Sequence, residues 1–73
     1  MKEEKGFPKG ERIWTAYYGK RGELLFLLTS KESREYYFLY EYTGTEYKRL
    51  GKSKTPPELE QRFHVRERMR GER

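Results

Sequence analysis

Runs of strand-forming residues alternate with short polar turns along most of the chain. RIWTAYY (12–18) is rich in β-branched and aromatic side chains, and the GKRG that follows (19–22) is a turn with glycine at both ends. ELLFLLT (23–29) comes next, then a second polar turn, KESR (31–34), and an aromatic run, EYYFLYEY (35–42). TGTE (43–46) turns the chain once more into YKRL (47–50). Short loops joining such runs predict an antiparallel meander over residues 11–51.

The C-terminal stretch changes character. In TPPELEQRFHVRERMRG, Thr55 is placed to cap a helix, Pro56 sits at its first position, and Glu58 completes a T-x-x-E capping box. Leu59 and Phe63, four apart, share a face, and Gly71 is a stop signal. A single helix over 56–70 is expected. Arg62, Arg66 and Arg70 fall close to the Leu59–Phe63 stripe, so its last turns should protrude with their guanidinium groups in water. MKEEKGFPKG (1–10) reads as a flexible arm, with Phe7 the residue able to tuck against a domain spanning 11–71. The fold class is therefore small α+β: a twisted four-stranded antiparallel meander, SH3-like if partly closed, with one C-terminal α-helix.

Turn lengths set an expected register. Tyr17 opposite Leu24, Leu28 opposite Tyr37 and Leu39 opposite Leu50 sort the sheet into two sides. One holds Ile13, Thr15, Tyr17, Leu24, Phe26, Leu28, Tyr37, Leu39, Leu50 and a Glu41–Lys48 pair. The other holds Trp14, Ala16, Tyr18, Leu25, Leu27, Tyr36, Phe38, Tyr40, Tyr42, Tyr47 and Arg49. The first side is mostly aliphatic and suits the helix. The second is mostly aromatic, and is either the core of a curled barrel or an open platform. A bulge would reverse a strand's assignment locally.

Composition narrows the chemistry. A chain of 73 residues makes one domain at most, with a thin stability margin. It has no cysteine and one histidine, His64, which excludes disulfides, thiolate metal sites and a multi-histidine zinc site, and no metal-binding residues are expected. All 12 acids are glutamate and Gln61 is the one side-chain amide, a direction taken by thermophile proteins. The longest apolar run, residues 24–28, falls far short of the roughly 20 residues that span a bilayer, so a cytoplasmic protein with no membrane partner is expected. No catalytic residues stand out: Asp and Cys are absent, the serines lie in turns or linkers, and Gly19 and Gly22 are hairpin glycines. No enzyme activity and no cofactor are expected.

Charge suggests a partner. The net charge is +5, and KRLGKSK (48–54) contains four bases and no acid. Tyr and Trp rings suit stacking on bases, and Lys and Arg attract phosphates. The expectation is a small basic nucleic-acid-binding protein, mostly sequence-nonspecific. Trp14, Tyr18, Tyr36, Phe38, Tyr40, Tyr42 and Tyr47 would form its platform. Lys20, Arg21, Lys48, Arg49, Lys52 and Lys54 would hold phosphates of DNA or RNA. The alternative is a protein-interaction module that docks through the same Tyr/Arg surface onto an acidic protein surface. A monomer and a homodimer joined through the aromatic side both remain open.

FLYEYTG (38–44), a basic strand, and TPPEL (55–59) opening a helix resemble the small chromatin proteins of hyperthermophilic archaea. That resemblance implies a sheet face carrying a tryptophan on the DNA minor groove, with the helix behind. It covers about half the chain. The sequence departs from that pattern in lacking a clear fifth strand and in favouring arginine and tyrosine over lysine. SH3-like barrels and integrase arm-type domains, of three strands and a helix, are similar in layout.

Overall fold

The computed structural model describes residues 5–33 and 35–71; residues 1–4 of the expected arm and Arg34 of the second turn lie outside them. The meander forms as expected. Strands β1 (Arg12–Tyr18), β2 (Leu24–Ser30), β3 (Tyr37–Tyr42) and β4 (Tyr47–Ser53) lie side by side in sequence order, each antiparallel to the next. β4 does not return to β1, so the sheet stays open rather than closing into a barrel. No helix among the described residues is long and apolar enough to cross a membrane.

The single helix expected over 56–70 is instead two: α1 (Pro56–Arg62) and α2 (Val65–Met69). His64, in the left-handed region at φ 54° and ψ 44°, breaks the run, and its N–H donates back to the Gln61 carbonyl at 3.3 Å. The reason is packing. Leu59 and Val65 are both fully buried, and Phe63 and Met69 pack against the same core. In a straight helix Val65 would point about 120° away from Leu59. The left-handed residue resets the phase, so both stripes reach one core. The capping box also differs. Thr55 makes no side-chain cap bond. The Ser53 hydroxyl instead accepts the N–H of Thr55 itself at 3.4 Å and donates to the Glu58 carboxylate.

Register shifts explain the two faces. β2 and β3 pair with Leu28 opposite Leu39, two residues from the expected register, and an even shift leaves every side chain on its face. The bulges do not. One sits between Ile13 and Thr15, so Ile13 pairs with Thr29 while Trp14 packs edge-on to Tyr37 at 5.6 Å. A second, between Tyr17 and Tyr18, exchanges Leu24 and Leu25. A third puts Gly51, not Leu50, opposite Leu39. Trp14 therefore leaves the aromatic side for the helix side, and Ile13 replaces it.

The helix side carries the main core: Tyr17, Phe26, Leu28, Leu39, Leu59 and Val65. Burying a side chain such as Leu59 contributes about 2 kcal/mol. Leu27, Phe38 and Tyr40 form a smaller cluster on the opposite face. Its cover comes from the N-terminal segment expected to be loose. Tyr47 N–H donates to the Lys5 carbonyl at 2.8 Å, Phe7 packs edge-on to Tyr47 at 5.4 Å, and Pro8 is buried.

Candidate functional site

The face opposite the helices is organised around a buried carboxylate. Glu11, just ahead of β1, has a side chain only 6% exposed. It accepts from the Thr29 hydroxyl at 2.6 Å, from the Tyr40 hydroxyl at 3.0 Å, and from Arg49 Nη2 at 2.7 Å. Arg49 Nε and Nη2 also donate to the Tyr40 oxygen, at 3.0 and 2.8 Å. Thr29 stands opposite Phe38, and Tyr40 opposite Arg49, so the ladder itself gathers these groups. Burial pushes the Tyr40 hydroxyl's pKa up; the Arg49 bonds pull it down, and Glu11 pushes it up again. Arg49 is held more firmly protonated, first through its bond to Tyr40.

Cations lie over the aromatic rings of this face. The Arg49 guanidinium sits 4.3 Å from the centre of the Phe38 ring and 5.4 Å from that of Tyr40. Lys31 Nζ is 5.9 Å from Phe38, and Lys52 Nζ is 4.8 Å from Tyr36. Such contacts contribute about 0.5–1 kcal/mol each at exposed sites. They leave the charged heads at the surface: the Arg49 side chain is 47% exposed although its ring neighbours Phe38 and Tyr40 are 7% and 5% exposed.

The structure gathers some of the expected site residues and disperses others. Tyr36, Phe38, Tyr40, Tyr42, Tyr47, Arg49 and Lys52 share the face opposite the helices. Most of those rings are not open platforms: Phe38 and Tyr40 are buried, and Tyr42 and Tyr47 lie against each other at 4.7 Å. Trp14 lies on the helix side. Lys48 pairs across from Glu41, in the row of Tyr17 and Phe26 on that same side. Lys20 and Arg21 occupy the β1–β2 turn, at the end of the sheet away from Lys52, while Lys54 follows β4. Among the exposed large apolar residues are Ile13, Trp14, Tyr18 and Tyr36. Glu11, Thr29 and Lys31 were not among the expected residues. Only their places at strand ends could have signalled them, since β-ladder position, not residue type, brings them to this face.

The helix side handles charge differently. Arg62 is paired with Glu58 at 2.8 Å, Arg66 with Glu60 at 3.4 Å, and Arg68 with Glu41 at 2.6 Å. Glu60 also accepts from the Tyr17 hydroxyl at 2.6 Å. On the opposite face neither Lys31 nor Lys52 has a carboxylate partner among the described residues.

No protein-family model, curated protein or solved structure matches the chain.

Proposed function

We propose that the chain binds nucleic acid, without sequence preference, through phosphate contacts made by Lys31, Arg49 and Lys52 on the face opposite the helices. The observation that supports this most is the division of charge between the two faces. Helix-side Arg62, Arg66 and Arg68 are matched by glutamates, whereas Lys31 and Lys52 stand over aromatic rings and form no ion pair among the described residues. Glu11 is buried under Arg49, so it orients that guanidinium and offsets part of its charge.

The test is an amide NMR titration with a short duplex and a single strand at about 50 and 200 mM salt. With two or three phosphates neutralised, affinity should fall about ten- to fortyfold between those concentrations. Lys31→Glu with Lys52→Glu should abolish the shifts while the fold persists. Unchanged binding by that folded variant would sink the proposal. A protein-docking surface is the second reading, favoured by Ile13 and Trp14, which are 51% and 54% exposed on an edge strand.

A further inference from the structure

The face opposite the helices differs from one end to the other. Where β4 begins, Phe7 and Tyr42 both lie against Tyr47, so these rings are taken up by one another. The end where β2 stops and β3 begins carries a different ring. Ser30 pairs with Tyr37, so Lys31 and Tyr36 are the next positions out from that pair. Phe38 pairs with Lys52, which brings Lys52 beside Tyr36 from the β4 side. Tyr36 is 37% exposed, whereas Phe38 and Tyr40 on the same face are buried. Its ring packs against no other ring among the described residues. Lys52 Nζ lies 4.8 Å from the ring centre, and Lys31 Nζ, coming from β2, lies 5.9 Å from the adjoining Phe38 ring.

We infer that Tyr36 stacks an unpaired base while Lys31 and Lys52 hold the phosphates on either side of it, so that the chain selects single-stranded over duplex nucleic acid. The inference rests on the proposed phosphate contacts and adds the ring to them. Relative strengths favour the exchange it requires. A cation over an exposed ring is a weaker contact than a base stacked on one, and a phosphate takes up the ammonium that the base displaces. A duplex offers no such exchange. Its bases are stacked on each other, and parting them takes an apolar side chain that projects as a wedge. The Tyr36 side chain is mostly covered and ends in a hydroxyl, so it serves as a floor for a base rather than a wedge. Phosphate contacts alone would rank the two ligands the other way, because a duplex carries one charge per about 1.7 Å of its length, twice the density of one strand.

Fluorescence anisotropy of three labelled ligands at about 50 mM salt tests the inference: a short oligothymidylate, the same strand annealed to oligoadenylate, and an abasic strand of equal length. The oligothymidylate is expected to bind at least about fivefold tighter than the abasic strand, the lower bound for stacking one base, and tighter than the duplex. Tyr36→Ala should remove the advantage over the abasic strand, and Tyr36→Phe, which keeps the ring, should retain it. The three ligands are compared on the parent chain, so that readout stands even if a variant unfolds. Equal affinity for the oligothymidylate and the abasic strand overturns the stacking and leaves phosphate binding in place. An advantage that persists in folded Tyr36→Ala takes the base off Tyr36 and overturns it as well. Binding to none of the three ligands defeats the phosphate contacts themselves, and this inference with them.

Discussion

Arg49 Nη2 lies 2.7 Å from Glu11 Oε2, joining positions 38 residues apart. The contact ties the residue that precedes β1 to the far edge strand, over the Tyr40 hydroxyl that bonds to both. Glu11→Ala strips Thr29, Tyr40 and Arg49 of a common acceptor. The expected cost is about 2 kcal/mol, below the ~3–5 kcal/mol of breaking a fully buried pair because Arg49 can turn to water. Urea unfolding measures it. A double-mutant cycle with Arg49→Ala should show coupling above about 0.5 kcal/mol; zero coupling would make the pair a bystander.

His64→Gly should stabilise the protein. A non-glycine residue in the left-handed region costs about 1 kcal/mol, and glycine adopts it freely. The ring gives up little: Nδ1 is 3.6 Å from Glu67 at an exposed site. Tm should rise by about 4–8 °C, the shift that 1 kcal/mol gives in a domain of this size. A fall in Tm would mean that the helix break is held by something other than this backbone conformation.

Alkaline pH should unfold the protein through its tyrosines. Burial raises the Tyr17 hydroxyl's pKa first, and its bond to Glu60 adds to that; Tyr40 is raised too, again chiefly by burial. A raised pKa means the neutral hydroxyl favours the folded state. That contribution is complete below the ordinary tyrosine value of about 10 and is lost as pH climbs toward the folded values. Thermal melts between about pH 8 and 11.5 should show the decline, and Tyr17→Phe should flatten it. An equal slope in the variant would clear Tyr17 of any part in it.

Gly6→Ala should release the N-terminal segment. Gly6 has φ +80°, and a Cβ there would stand 2.1 Å from the Tyr47 carbonyl oxygen, so the segment must move off β4. Hydrogen exchange at the Tyr47 amide, which donates to Lys5, reports this directly. Faster exchange there, with β2 and β3 unchanged, is the expected result. Protection equal to the parent's would show that the segment accommodates the methyl group.

Strands, turns and their order were legible because β-branched and aromatic runs alternate with glycine-bearing turns. Face assignment was legible only where pairing was regular or shifted by two. The extra residues at Trp14, Leu25 and Leu50 carry no distinctive residue type, so the bulges could not be read, and with them went the side on which Trp14 lies. The helix break did leave a trace: Leu59–Phe63 and Val65–Met69 are each four apart, but Phe63 and Val65 are two apart, which no continuous helix reconciles on one face. The candidate site was half visible. Tyr36, Phe38, Tyr40 and Arg49 were placed together correctly, but Glu11 joins them only once β1, β2 and β4 are assembled, and it was that carboxylate which turned an open platform into a bonded cluster.

The Glu11 cluster also has a consequence for the order in which the chain folds. Hairpin contacts within the meander are close in sequence and cheap to close, whereas Glu11 must find partners 18, 29 and 38 residues away. The meander is thus expected to assemble first and the N-terminal residues to lock afterwards. In a chevron plot, Glu11→Ala should leave the refolding limb almost unmoved and raise the unfolding limb, making Glu11 a latch on the protein's lifetime rather than a guide to its formation.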